Sequence, residues 1–360
     1  MPKISVILPA YNHEKYIAAT LESILNQSMS DLEIVAVDDG STDNTGKIID
    51  EFARSDGRVR AFHKENGGIV SASNEAMRHA VGEWLAWCGS DDVVRPNAYR
   101  DLLRKSGNSD VVVGEFCEFT DSGQKVRIHI QSWRKKNCFD ALFAMPAMWS
   151  KIIRRSFITK HNLWFPDVKL CEDLIFLANV AALRPRYAFV ARDIFHYRNN
   201  PKRLSKSMTH TYSLDYFKAH VDGRIKVLEI CDAAGIRNGH EYVFYDSINY
   251  LSGYLPQMRS EDVEPAMTAL KELLSCHDWS SYDRRHFEVV FGIPVEQFMS
   301  ISGEEYVYII QHQEPFNYVL NKFEAGDIGL QFVMRCVRGW LHYKMASHRR
   351  ISRRNEANGN

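Results

Sequence analysis

Two pairs of carboxylates stand where apolar runs end. Asp38-Asp39-Gly40-Ser41-Thr42-Asp43 follows the run Glu33 to Val37, and Ser90-Asp91-Asp92 follows Trp84 to Trp87. Strands ending in adjacent aspartates at a turn bring four carboxylates to one edge of a parallel sheet, where open α/β sheets bind ligands. Carboxylates gathered there repel one another unless a cation or donor groups neutralise them. A hard divalent metal bridging to a phosphorylated ligand meets that need. Each motif alone is also ordinary turn and cap chemistry, which Asp, Gly and Ser favour. The two together, in this order, favour the ligand edge.

The elements that must position these groups alternate. Ile4 to Leu8 reads as a short strand closed by Pro9, and Asn12 as the cap of a helix carrying Tyr16, Ile17, Leu21, Ile24 and Leu25 on one face. Glu33 to Val37 is the next strand, and Thr42 or Asp43 caps a helix bearing Ile48, Ile49 and Phe52. Val59 to Phe62 is a third strand, Asn66-Gly67-Gly68 breaks the pattern before a helix at Val70 to Ala80, and Trp84 to Trp87 is a fourth strand. Such alternation with short connections predicts an α/β fold with a Rossmann-like, mostly parallel sheet flanked by helices. Beyond Ser109 the texture becomes a meander: Val111 to Val113, Glu115 to Phe119 and Lys125 to Ile130 read as strands. Cys138 to Ala144, Ser156 to His161 and Asp173 to Leu183 read as helices, Ala188 to Tyr197 as a last strand, and Arg198 to Ser207 as a basic loop. After His210, Leu214 to Ala234, Glu241 to Leu255 and Val263 to Leu274 are all helical in pattern. The expected domains are therefore residues 1–209 and a mainly helical region, residues 210–360.

Composition excludes several classes. Lys plus Arg and Asp plus Glu both number 45, so no overall field recruits nucleic acid. Seven scattered cysteines with no Cys-x-x-Cys spacing argue against a zinc site and a disulfide framework. They fit free thiols in a reducing cytoplasm. The amino terminus enters a strand directly, without a signal-peptide pattern, and no apolar window reaches a membrane span. The expected location is cytoplasmic.

The run Ile4 to Asn12, then Asp38 to Asp43, Asn66-Gly67-Gly68, and Gly82-Glu83-Trp84-Leu85 leading to Ser90-Asp91-Asp92 resembles the family 2 glycosyltransferases of GT-A fold. The resemblance covers the chain to about residue 205 and is most specific in its first hundred residues. It implies a nucleotide-diphospho-sugar donor, Mg or Mn, and inversion at the anomeric carbon. By motif, Pro9, Ala10 and Tyr11 line the nucleotide pocket and Asp39 accepts a hydrogen bond from the base, with Asp38 and Gly67 in the same site. Asp91 and Asp92 resemble the Asp-x-Asp element that contacts ribose and metal, Asp92 being the favoured ligand. Gly89 stands where many members have an aspartate, and Ser73 where many have an arginine. Cys171-Glu172-Asp173 resembles the Glu-Asp motif whose aspartate is the catalytic base. His196-Tyr197-Arg198, with Ser205 and Ser207, resembles the segment that closes over the diphosphate, to which Arg198, Lys202 and Arg203 could add charge.

Each assignment has a plainer rival. Asp173 after Glu172 suits the first turn of any helix, since the dipole favours acids there. His196 reads first as a core histidine and otherwise as one beside the metal, and Trp133, Trp149 and Trp164 read first as core and otherwise as acceptor platforms. Phe332, Val333, Cys336, Val337, Trp340 and Leu341 recur at helical spacing among arginines and lysines. That basic amphipathic helix either lies on an anionic membrane surface, at the inner face of the cell membrane, or docks on its own domain. The expectation is transfer of a sugar to a glycan or lipid-linked acceptor in bacterial surface polysaccharide synthesis, with a homo-oligomer left open. A nucleotidylyltransferase would need a glycine-rich cationic loop that Pro9-Ala10-Tyr11-Asn12 does not offer. A non-catalytic nucleotide-sugar binder is the remaining alternative.

Overall fold

The computed structural model describes residues 2–120, 125–128, 138–143, 146–198, 212–251, 253–277, 295–303 and 305–306. Two compact units divide the chain: Met1–Ser207 with Lys226–Gly239, and Met208–Ile225 with His240–Asn360.

The first unit is built on one sheet in the order β3-β2-β1-β4-β8-β6-β9-β5, with β7 paired to β6. Strands β1 (Ile4–Ala10), β2 (Leu32–Asp38), β3 (Val59–His63) and β4 (Trp84–Trp87) form its parallel half. β1, β2 and β4 are buried throughout, as strands covered on both faces must be, which is why they read as apolar runs. Helices α1 (Ile17–Leu25), α2 (Thr45–Ser55) and α3 (Gly68–His79) are the crossovers. Ile17, Leu21 and Ile24 of α1 turn one stripe into the core.

Past β4 the sheet becomes mixed. Strands β5 (Val93–Val94), β6 (Val111–Phe119), β7 (Lys125–Ile128), β8 (Lys151–Arg154) and β9 (Tyr187–Arg198) pair antiparallel at β4–β8, β6–β8, β6–β7 and β5–β9, and parallel at β6–β9. The two strands expected at Val111 to Phe119 are one, with register shifts at Gly114–Glu115 and Glu115–Phe116. A side chain at Gly114 would collide with Ile194, so the shift uses a residue without one. Helices α4 (Ala98–Ser106), α5 (Cys138–Phe143), α6 (Arg155–Lys160) and α7 (Glu172–Ala182) complete the unit.

Asn12 does not cap α1. Its backbone is left-handed (φ 52), and its side-chain oxygen accepts the Thr42 N–H at 2.8 Å, joining the loops after β1 and β2. Asp43 accepts the Thr45 N–H at 2.9 Å as α2 begins.

The second unit is helical among its described residues, and its core carries a buried polar network. Arg224 pairs with Asp246 at 2.5 Å and lies over the Tyr250 ring. His220, bonded to the Tyr254 hydroxyl, is held neutral because burial pulls its pKa down to about 4. No described helix is long and apolar enough to cross a membrane. The amphipathic pattern from Phe332 to Leu341 lies outside the described residues.

Candidate active site

Parallel pairing decides which residues share an edge. β1, β2 and β4 run in one direction, so the loops after Ala10, Asp38 and Trp87 emerge together. β8 runs antiparallel to β4, so its first residue, Lys151, and the preceding segment 146–150 lie at that same edge. Three expected site segments and the unforeseen start of β8 thereby converge.

Asp39 opens the loop after β2, 3% exposed. Its Oδ1 accepts from Lys64 Nζ at 2.9 Å and from the Gly67 N–H at 3.0 Å, and its Oδ2 accepts from the Gly68 N–H at 2.7 Å. Three donors occupy three of the roughly four acceptor positions of a carboxylate. One position on Oδ2 is left open to a further donor. Gly68 has φ 82, a backbone that favours glycine, and it is this conformation that turns consecutive N–H groups onto the carboxylate. Lys64 was not singled out in the sequence, because a lysine before a glycine pair carries no signal of its own.

Asp38 is turned the other way. Its Oδ1 accepts the Ser41 N–H at 3.1 Å and its Oδ2 meets His63 Nδ1 at 3.1 Å, while His63 Nε2 meets Asp50 at 3.0 Å. Asp50 and then Asp38 raise the His63 pKa. Asp38 therefore braces the loop that presents Asp39. Pro9 and Ala10 end β1 buried, and Tyr11, 45% exposed, stands at the rim.

Asp91 and Asp92 follow β4 in a turn closed by the Asp92 N–H to the Gly89 carbonyl at 3.2 Å. From α1, the buried Thr20 hydroxyl donates to the Asp92 carbonyl at 2.7 Å. Arg198, the last residue of β9, donates its backbone N–H to Asp92 Oδ1 at 2.7 Å and its Nε–H to the Asp91 carbonyl at 2.6 Å. Its guanidinium packs between the rings of Tyr16 and Phe119, 4.8 and 4.6 Å from their centroids. Arg198 is thus buried beneath the aspartates. Gly89, the departure noted above, has a reason here: a Cβ would sit 2.6 Å from Asp92 Oδ2. The missing side chain makes the cradle into which Asp92 fits. His196 pairs across from Val93 and its Nε2 approaches Asp193 at 3.5 Å.

Among the described residues no group of three or more His, Cys, Asp or Glu side chains forms a ligand set. Two adjacent carboxylates completed by substrate phosphates are nonetheless how Mg is commonly held, so Asp91 and Asp92 fit that ion and its relatives.

Asp173 enters from α7. Cys171 takes a left-handed turn (φ 68), and its carbonyl accepts the first helical N–H, from Ile175. Glu172 and Asp173 then fall in the first turn, where the dipole favours acids. Asp173 Oδ2 accepts the Met148 N–H at 3.1 Å, which ties it to the segment before β8. Part of the residue remains exposed, but its carboxyl lies deep. Burial and then the Glu172 charge push its pKa up to about 7, against the Met148 N–H and Lys151. Phe176 of α7 packs on Trp87 of β4 and on Phe165, fixing the helix over the sheet.

Trp149 stacks on Phe195 at 4.9 Å and on Tyr197 at 5.4 Å, and so belongs to the packing beneath the edge. Trp164 is 40% exposed, with Arg78 over its ring. Ser73 is buried in α3. Trp133, Lys202, Arg203, Ser205 and Ser207 lie outside the described residues.

Residues 5–163 match the family described as Glycosyl transferase family 2. The chain carries a family 2 glycosyltransferase domain. It is 34% identical over 209 residues to EpsH of Bacillus subtilis, a provisionally assigned glycosyltransferase, covering 55% of this chain and 61% of that protein. It is 42% identical over 105 residues to chondroitin synthase of Pasteurella multocida, 29% of this chain and 11% of that one. The chain thus spans less than two thirds of either relative's length. The fold is that of S. aureus TarS 1–349, solved with UDP-GlcNAc: TM-score 0.62 at 19% identity, over 90% of this chain and 92% of that one. GT-A architecture accounts for the mixed sheet and the helices at its end.

Proposed function

We propose that this chain transfers a sugar, with inversion, from a nucleotide-diphospho-sugar to a hydroxyl of a glycan or lipid-linked acceptor in polysaccharide synthesis. The observation that carries the reading is a deep carboxyl, Asp173, with a pKa of about 7, on the same sheet edge as Asp39 and the Asp91–Asp92 turn. A base with that pKa takes a hydroxyl proton efficiently near neutrality.

The remaining residues bind and orient. Pro9, Ala10 and Tyr11 line the nucleotide, and the open position on Asp39 Oδ2 accepts a base N–H. Gly67 and Gly68 hold that carboxylate in place, so the base meets a fixed acceptor. Asp91 and Asp92 would hold Mg or Mn, which would supply Lewis-acid charge to the departing diphosphate. Arg198 and Thr20 keep the aspartates from moving as charge develops. Asp173 receives the acceptor proton while the hydroxyl oxygen attacks the anomeric carbon from the face opposite the leaving group.

Chondroitin synthase is a relative whose name points to polysaccharide synthesis. A cytoplasmic location beside a membrane would suit a lipid-linked acceptor, and sedimentation with anionic vesicles tests whether the full chain binds them. Transfer itself is tested by screening UDP- and GDP-sugars with Mn2+ and assigning the product anomer by proton NMR. An inverted anomer formed only with metal supports the reading; a retained anomer, or donor binding without turnover for every sugar, overturns it in favour of another mechanism or a binding protein.

A further inference from the structure

Lys151 begins β8 and is only 1% exposed. A buried ammonium is unfavourable unless something answers its charge. Its Nζ donates to the Ala147 carbonyl at 2.6 Å. The N–H of that same peptide group, Met148 N–H, donates to Asp173 Oδ2 at 3.1 Å. One planar peptide unit therefore has its oxygen on a buried cation and its N–H on a buried carboxyl.

We propose that Lys151 is a positioning residue for Asp173, acting on the carboxylate through the Ala147–Met148 peptide group and through the field of its buried charge. This rests on Asp173 being the base. Hydrogen bonds in series polarise one another. An ammonium on the carbonyl draws electron density from the amide and strengthens its donation to the carboxylate. The peptide also has little freedom to rotate, because both its ends are held. Asp173 gains a donor of fixed direction, and its other oxygen is aimed by consequence.

The electrostatic setting gives the lysine something to oppose. Glu172 on the same helix pushes the Asp173 proton affinity up, and α5, which packs against α7, carries Asp140. Lys151 acts in the opposite sense. Burial in turn pulls Lys151 down to about 7, so the two groups titrate in one range. Lys151 also borders a cavity of about 10 Å³ with Trp87, Tyr99 and Ser150, whose Nε1, hydroxyl and Oγ are buried without partners among the described residues.

Carbon-detected NMR titration of the Asp173 carboxyl in the full chain tests the proposal, comparing the parent with Lys151→Met, which keeps length and loses charge. The midpoint should rise by about one pH unit, a tenfold change in the ionisation constant, and the Met148 amide proton should shift. Lys151→Arg should restore much of both. An unchanged midpoint with an unchanged Met148 amide overturns the proposal. Should Lys151→Met not fold, the parent decides: the Lys151 Nζ resonance should move with the midpoint of the Asp173 carboxyl, and a resonance that ignores it overturns the proposal. No readout uses turnover, so failure here is distinct from failure of Asp173 as base, which Asp173→Asn kinetics judges.

Discussion

Arg198 and Asp92 lie 106 positions apart, yet the backbone N–H of one donates to the carboxylate of the other at 2.7 Å. The bond joins the end of β9 to the turn after β4 and fixes one oxygen of the expected metal ligand. The Arg198 side chain continues the same work, holding the Asp91 carbonyl and filling the space between Tyr16 and Phe119.

Arg198→Ala should therefore weaken the site from below. The backbone bond to Asp92 survives, but the Asp91 carbonyl loses its charged donor, at about 1–3 kcal/mol. Calorimetry should show Mn2+-dependent UDP binding reduced and a lower unfolding temperature. Unaltered affinity would mean that the turn holds its shape without the guanidinium.

Asp39→Asn tests the nucleotide loop. Each carboxylate oxygen faces a donor, so an amide must turn its NH2 toward the Gly68 N–H or toward Lys64 and Gly67. At least one buried donor is left facing another, a loss of about 1–3 kcal/mol. Denaturant unfolding should show that loss, and UDP binding should fall with it.

Gly89→Ala should act on metal and not on nucleotide. The new methyl would sit 2.6 Å from Asp92 Oδ2 and force the carboxylate aside. Metal-dependent tightening of UDP binding should diminish while binding without metal stays near the parent's. Equal loss of both would point to a wider collapse of the turn.

The pH dependence follows from Asp173. Its folded-state pKa of about 7 lies above the ordinary 3.8, so turnover should rise with pH through about 7 as the base loses its proton. For stability the sign is the reverse. The folded chain holds this proton more tightly than the unfolded one, so the contribution is full below 3.8 and lost as pH rises through about 7. Asp173→Asn should flatten that decline in urea midpoints measured across the window. Lys151, lowered to about 7 from 10.5, acts at higher pH, and its contribution grows as pH rises through that range.

Much of this edge was legible in the sequence because buried parallel strands write themselves as apolar runs, and turns after them as Asp, Gly and Ser. β4 was read to the residue, and α7 to within one residue at each end. β8 was not foreseen: its four residues begin and end with basic side chains, and a lysine at the start of a strand looks solvent-facing. β5 has two residues, too short for any periodicity, and α4 mixes Arg, Asp and Lys among few apolar positions. Thr20, Lys64, Lys151 and the braced form of Arg198 stayed hidden for a different reason. Their partners lie in distant segments, so their importance arises only once the sheet has brought those segments together.

The central claim is that Asp173 takes the acceptor proton across from the donor held by Asp39 and Asp91–Asp92. Its most direct measurement is Asp173→Asn, assayed in parallel for donor binding by calorimetry with Mn2+ and for sugar transfer. The account predicts donor affinity within about threefold of the parent, under 1 kcal/mol, with transfer reduced at least a hundredfold, as loss of a general base requires. Transfer at the parent's rate by the folded Asn variant would contradict it.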